Sequence, residues 1–169
     1  MSQELITAYT ALFKYLGSPA VLLAVFLPGL ISVAIYWSYR RAGKVSARLQ
    51  VLWLCALLLS FYFARWEQSE DVQRLYIYSG FSVVCLILLL FRLYISPALA
   101  YALTFLSLWW VDVTHALCQA LLCEWDLARF YVGVGGGGVL DTLFVVPLLT
   151  AGCVAIVGAT LRRQGVRLQ

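Results

Sequence analysis

Charged residues are scarce in this sequence. Asp, Glu, Lys and Arg make up 12% of its 169 residues, whereas hydrophobic residues make up 63%. A soluble globular domain carries about 25% charged residues. This chain has too little polar surface to cover a water-soluble core, because nearly all of it is core. The composition excludes an ordinary soluble domain and predicts a membrane protein of one domain with little mass outside the bilayer.

Histidine is nearly absent, and the cysteines show no ligand spacing. The chain has one histidine, and its five cysteines form no C-x-x-C pair. A single histidine cannot supply both ligands of a bis-histidine haem, and a zinc site would need other ligand types. The odd number of cysteines also argues against a complete disulfide framework. We therefore expect no cofactor and no metal ion, and we interpret the cysteines as small apolar residues.

Long apolar segments dominate the sequence. Five of them can span a hydrocarbon core of about 30 Å, which takes about 20 helical residues. They are continuously apolar instead of alternating, which favours helices over membrane strands. The sequence thus predicts an all-α polytopic bundle of about five transmembrane helices within a single domain, residues 19–161. The predicted spans are residues 19–39, 49–65, 75–94, 97–122 and 139–161.

Residues 1–18 lack a basic region and a small-residue cleavage site before an apolar core. We therefore expect this segment to be retained and not to act as a cleaved signal peptide. Its apolar residues recur at helical spacing, which predicts an amphipathic helix on the membrane surface. These residues are Leu5, Ile6, Tyr9, Leu12 and Phe13.

Basic residues set the predicted orientation. The net charge of +4 does not indicate nucleic-acid binding, because the basic residues flank apolar segments. An odd number of spans puts the first basic loop and the basic tail, residues 162–169, on one side, which the positive-inside rule makes cytoplasmic. We expect the N-terminus outside, the C-terminus inside, and a bacterial inner membrane as the location. The topology determinants are Arg40, Arg41, Lys44, Arg48, Arg162, Arg163 and Arg167.

A polar cluster interrupts the fourth apolar segment. Asp112, His115 and Gln119 lie about one helical turn apart. An ionisable residue at membrane depth costs about 2.5–3.5 kcal/mol on insertion scales, so it marks a candidate functional site. The hairpin of the last two spans would bring Asp141 to the depth of Asp112. The predicted intramembrane site consists of Asp112, Thr114, His115, Gln119, Asp141 and Thr142.

A run of four glycines precedes the last span. Small residues let membrane helices approach closely, so the run could admit His115 and Trp109 against its backbone. On this hypothesis a large side chain is tolerated better at Gly158 than in the run. Alternatively the run is unwound, since each glycine costs about 1 kcal/mol in a helix. No Lys-Ser/Thr follows, which excludes a P-loop. The run is Gly135, Gly136, Gly137 and Gly138.

Three functional hypotheses remain open. In the first, the chain is a small non-catalytic membrane subunit acting in assembly, sensing, immunity or exclusion. It would form a homo-oligomer or bind a membrane-protein partner, and the polar cluster would hold helices together. In the second, it is a channel or carrier for protons, ions or a small solute. The third, a membrane-embedded lipid-modifying enzyme, is weakest because acid–base chemistry needs a positioned pair of groups.

Overall fold

The described chain is mainly α-helical. The computed structural model describes residues 19–68, 73–77, 94–122 and 142–163. These ranges contain four helices and one two-stranded sheet. Helix α1 runs through three consecutive segments, Pro19–Val21, a π-helical segment Leu22–Phe26, and Leu27–Arg41. The remaining elements are α2 Ala47–Phe63, β1 Ala64–Gln68, β2 Gln73–Ile77, α3 Pro97–Leu122 and α4 Thr142–Arg163.

Helix α3 is the central helix, because it packs against α1, α2 and α4. Two apolar clusters hold these helices together. The first joins α1, α3 and α4 through Val21, Val25, Phe105, Leu108 and Leu143. The second joins α2 and α3 through Leu49, Ala56, Ile95, Leu99, Ala100 and Leu103.

Helix α1 runs antiparallel to α3. Near the end of α1, the Ser96 hydroxyl donates a hydrogen bond of 2.7 Å to the Tyr39 hydroxyl. Near its middle, a Cβ on Gly29 would lie 3.5 Å from Cε1 of Phe105. The π-helical segment ends just before Pro28, which lacks an N–H and whose ring would crowd the carbonyl four residues earlier. The wider π-helical turn accommodates this proline without ending the helix.

Helix α2 runs parallel to α3, and α4 runs antiparallel to it. The start of α2 packs beside the start of α3 through Leu49 and Leu99. Near the C-terminal end of α4, a Cβ on Gly158 would overlap the ring and hydroxyl of Tyr94, which lies just before the start of α3. The last turn of α1, the first turns of α2 and α3, and the last turn of α4 therefore meet at one end of the bundle.

A glycine turn connects α1 to α2. Gly43 has a φ of 67°, in the left-handed region that side chains disfavour. The Lys44 N–H bonds the Tyr39 carbonyl at 3.0 Å, and the Gly43 N–H bonds the Arg40 carbonyl at 3.1 Å. This pair of bonds is the Schellman motif that ends many helices. The Ser46 hydroxyl then accepts the Leu49 N–H at 3.2 Å and caps the start of α2.

The predicted second and third spans are partly wrong. Helix α2 ends at Phe63, and the chain continues as two antiparallel strands, so residues 64, 65 and 75–77 are not helical. The apolar run is followed here by polar residues. Two paired strands form backbone hydrogen bonds with each other, and this pairing does not require an apolar helix face. The register sets Glu67 opposite Arg74 and Trp66 opposite Leu75. Residues 78–93, the rest of that span, lie outside the described residues.

One helix in the described part of the chain, Leu143–Arg163, is long and apolar enough to cross a membrane by length and composition. A bundle of five spans is therefore not confirmed. Helix α2 has 17 residues, and at 1.5 Å per residue it extends about 26 Å, short of a hydrocarbon core of about 30 Å. Helix α3 has 26 residues, and at 1.5 Å per residue it extends about 39 Å. The predicted amphipathic helix, residues 1–18, lies outside the described residues.

Helix α4 continues past the predicted end of the fifth span at residue 161. Its described residues run from Thr142 through Arg163, and residues 139–141 of the predicted span lie outside the described residues. Arg162 and Arg163 thus belong to the last helical turn and not to a separate tail. The Arg162 Nε donates to the Gly158 carbonyl at 3.1 Å. A cation near the C-terminal end of a helix also interacts favourably with the helix dipole.

Candidate functional site

Asp112 lies in the interior of the bundle. Its exposed fraction is 5%, and it follows Val111, which is fully buried, along the inner face of α3. It takes part in a polar or electrostatic interaction. A buried carboxylate needs hydrogen bonds or an opposite charge, because burial strongly disfavours an isolated charge. The expectation that Asp112 is an interior polar residue therefore agrees with its burial.

The other members of the predicted cluster are only partly described. The backbone of α3 continues through His115 and Gln119, and α4 begins at Thr142. Their side chains lie outside the described residues, as does Asp141. Leu143 packs in one cluster with Leu108, so the start of α4 lies beside the half of α3 that carries Asp112. The contacts of the predicted cluster stay a prediction.

Thr114 uses its hydroxyl within its own helix. The Oγ1 atom lies 2.6 Å from the Trp110 carbonyl oxygen and 3.2 Å from that of Val111. Both carbonyls belong to the preceding turn of α3. The single hydroxyl proton is therefore donated locally, and Thr114 can serve the predicted cluster only as an acceptor.

Trp109 and Trp110 lie on the outer surface of α3. Their exposed fractions are 37% and 49%. The hypothesis that Trp109 packs against the glycine run stays a prediction. Gly135, Gly136, Gly137 and Gly138 themselves lie outside the described residues.

Gly158 is a site of close packing. A Cβ at this position would overlap the Tyr94 side chain, whereas a Cβ at Gly152 would have no neighbour within 4 Å. A large side chain at Gly158 would therefore meet Tyr94. The predicted comparison of Gly158 with the glycine run stays a prediction, because that run lies outside the described residues. This contact could not be predicted from the sequence, because Tyr94 and Gly158 are distant in the chain.

Several buried hydroxyl groups were missed from the sequence. Each lies in an apolar stretch, and the only signal was a small polar residue at an inward-facing helical position. Ser107 shows their role: its Oγ accepts a hydrogen bond of 2.7 Å from the Trp53 indole N–H and donates one of 2.8 Å to the Leu103 carbonyl. The fully or almost fully buried hydroxyls are those of Ser32, Ser60, Thr104, Ser107 and Thr150.

Three of these hydroxyls have no hydrogen-bond partner in the described part of the chain: those of Ser32, Ser60 and Thr104. Thr150, by contrast, donates to the Val146 carbonyl at 2.9 Å. An unpaired hydroxyl disfavours burial by about 1–3 kcal/mol in mutational data. The bundle thus buries hydroxyl groups at positions where an apolar side chain of similar size could fill the same space.

Basic residues gather at the end of the bundle where α1 and α4 finish. The Tyr39–Ser96 hydrogen bond and the Tyr94–Gly158 contact hold this end together. Arg167 lies outside the described residues. We call the exposed basic residues here the basic end, and they are Arg40, Arg41, Lys44, Arg48, Arg162 and Arg163.

The described residues contain no group of three or more His, Cys, Asp or Glu side chains that could hold a metal ion. The two cysteines whose side chains are described, Cys55 and Cys153, are exposed and free. Both lie on helix surfaces, as expected for small residues that face outward.

Comparison with known proteins gives no match. No protein-family model, no curated protein and no solved structure matches this chain. The function must therefore be inferred from the residues and their geometry.

Proposed function

We propose that this chain is an integral membrane subunit that works by assembling with copies of itself or with a membrane-protein partner. The observation that supports this most is the distribution of polarity. Many large apolar side chains are exposed on the outside of the helices, whereas five hydroxyl groups and a carboxylate are buried among the apolar residues of the core. A soluble protein has the opposite arrangement, since water favours polar groups at the surface.

The outer surface is apolar on three of the four helices. Leu30 on α1 is 70% exposed, Tyr62 on α2 is 79% exposed, and Ile156 on α4 is 69% exposed. Contiguous apolar surface of this kind is typical of contact with lipid or with another protein. Other exposed apolar residues are Leu22, Leu23, Phe26, Leu27, Ile31, Val33, Val51, Leu54, Leu58, Leu59, Leu148, Leu149 and Val157.

The polar interior has a physical role in a bilayer. Lipid tails are as apolar as leucine, so burial of apolar side chains gives membrane helices little reason to associate. Hydrogen bonds and close packing must hold them together. The Trp53–Ser107 bond between α2 and α3 and the contact of Gly158 with Tyr94 supply such interactions. On this proposal Asp112 acts in the same way: its hydrogen bonds hold helices together within the subunit or between subunits. We call this role polar glue.

The proposed location is a bacterial inner membrane, with the basic end on the cytoplasmic side. The basic residues at the ends of α1 and α4 support this orientation, because positive residues are retained on the cytoplasmic side.

The proposal is tested by extraction and by mass. Membranes from cells that express the full chain are washed at alkaline pH, which releases peripheral proteins, and the retained protein is purified in nanodiscs. We expect the chain to stay in the membrane and to purify as a homo-oligomer or with a fixed second subunit. Release by the alkaline wash would contradict membrane integration, and a lone monomer would contradict the assembly role.

A second candidate function is a pathway for protons, ions or a small solute. The burial of Asp112 favours it, since an interior carboxylate on a membrane helix is a common element of such pathways. The two functions differ in what they require of this residue: polar glue needs its hydrogen bonds, whereas a proton pathway needs its titration.

A further inference from the structure

We propose that the basic end of the bundle binds the headgroups of anionic phospholipids. This inference rests on the proposed membrane location and adds a ligand class to it. The turn between α1 and α2 is its centre, with Arg41 and Lys44 on either side of Gly43.

The fold concentrates positive charge at this end. Gly43 reverses the chain, so the end of α1 and the start of α2 both place basic residues there. Helix α4 adds Arg162, whose Nε bonds the Gly158 carbonyl next to the contact with Tyr94. Residues from three helices thus form one exposed cationic surface.

Aromatic rings accompany two of these cations. The Arg41 guanidinium carbon lies 5.3 Å from the centroid of the Trp37 ring, and the Lys44 Nζ lies 5.7 Å from that of Tyr39. Both distances fit cation–π contacts. Trp and Tyr rings prefer the depth of the lipid headgroups, so the pairs would hold their cations at the level of the phosphates.

The acidic residues in the described ranges lie away from this surface. They are Glu67, in β1 beyond the far end of α2, and Asp112, well along α3 from the basic end. An anion would complement the exposed cations of the turn, Arg41 and Lys44. Trp37 lies beside Arg41, and exposed apolar residues such as Val33 continue along α1 away from the cations. An anion with acyl chains fits both surfaces, whereas free phosphate fits only the first.

Each basic residue near an anionic membrane surface strengthens binding by about fivefold. Clusters of this size next to membrane helices are typical of sites for anionic lipids. Salt should weaken the interaction, because screening acts strongly on exposed charges.

The test measures lipid selectivity in vesicles of phosphatidylcholine mixed with phosphatidylglycerol. The full chain is reconstituted, and electron spin resonance compares how much spin-labelled lipid of each type the protein immobilises. Three proteins are compared: the wild type, the Arg40→Gln/Arg41→Gln/Lys44→Gln variant, and a control with Arg65→Gln and Arg74→Gln in the β-hairpin. An alkaline wash of the same vesicles first shows that each protein is inserted.

We expect the wild type to select phosphatidylglycerol several-fold, the triple variant to lose most of this selectivity, and the hairpin control to keep it. Selectivity should also fall as salt is raised. An inserted wild-type protein without selectivity, or an equal loss in both variants, would overturn this inference and leave the membrane proposal intact. Failure of the wild type to insert would overturn both.

Discussion

At the scale of single residues, the Ser96 hydroxyl forms two structural hydrogen bonds. Its Oγ accepts the Leu99 N–H at 3.2 Å, which caps α3, and it donates to the Tyr39 hydroxyl of α1. Pro97 follows at the first helical position, where its missing N–H is harmless. Ser96 therefore fixes both the start of the central helix and its contact with α1.

Replacing Ser96 with alanine removes both interactions. We expect Ser96→Ala to lower the free energy of unfolding in detergent by about 0.5–2 kcal/mol, the range for loss of a helix cap. The control is Ser38→Ala, because the exposed Ser38 hydroxyl bonds only the Ala34 carbonyl of its own helix. Equal unfolding free energies for the two variants would show that the cap contributes nothing.

A matched pair of glycines on α4 tests close packing. Gly158→Ala should push against the Tyr94 ring and be less stable than Gly152→Ala by about 1–3 kcal/mol, the range for overpacking. Both changes gain the same helix propensity, so the difference isolates the contact. Thermal unfolding in detergent measures it. A Gly158→Ala protein as stable as its partner would mean that Tyr94 moves aside freely.

At the scale of elements, α2 is held to α3 by a hydrogen bond from an indole. The Trp53 N–H reaches both the Ser107 hydroxyl, at 2.7 Å, and the Leu103 carbonyl, at 3.2 Å. The same ring lies 5.5 Å from the Tyr36 ring of α1. Trp53 thus links three helices near the bundle interior.

Trp53→Phe should keep most of the ring packing and lose the donor. We expect a loss of stability of about 0.6–1.7 kcal/mol, as measured for hydrogen bonds between membrane helices. Chemical denaturation of Trp53→Phe, Ser107→Ala and the double variant gives the coupling energy between the two side chains. Strictly additive effects would contradict the bond between them.

The sequence predicted some elements better than others. Helix α3 has the bounds 97–122 that were predicted, because its apolar run is long and begins at a Ser-Pro pair. The end of α2 was wrongly predicted at Arg65, since hydropathy cannot distinguish the last turn of a helix from a strand in which Arg65 pairs with Tyr76. Strand pairing depends on contacts across the chain, which periodicity does not report.

Only part of the candidate site could be predicted, because the sequence does not show which side chains pack together. A charge is conspicuous in an apolar segment, so Asp112 was found from its cost alone. Ser32, Ser60 and Thr104 are as deeply buried, yet a lone hydroxyl residue is common in membrane helices and gives no signal. Their burial depends on which helices pack around them, and the sequence does not show this. The contacts of His115 and Asp141 stay predictions.

At the scale of the whole molecule, Asp112 separates the two candidate functions. Asp112→Asn keeps the shape and hydrogen bonding of the side chain but cannot titrate. If Asp112 is polar glue, this variant should assemble normally, whereas Asp112→Leu should weaken assembly by about 0.6–2 kcal/mol per lost contact. Sedimentation in detergent measures assembly.

A proton pathway makes the same prediction for assembly of the amide variant and a different one for proton flux. Asp112→Asn would then assemble normally but lose proton flux into liposomes between about pH 5 and 8, at matched incorporation. We expect normal assembly and no flux from the wild type, as the structural role requires. Flux that disappears in Asp112→Asn would contradict that role and favour the pathway.

The arrangement of the chain in the membrane is the central claim, and accessibility of single cysteines tests it most directly. Cysteine is introduced at position 44, 70 or 163 in a background without the five native cysteines. Intact cells are labelled with a reagent that does not cross membranes. Since α1 and α4 end together, we predict that Lys44→Cys and Arg163→Cys are protected and that Glu70→Cys is labelled. Labelling of position 44 from outside, or of positions 44 and 163 from opposite sides, would contradict the claim.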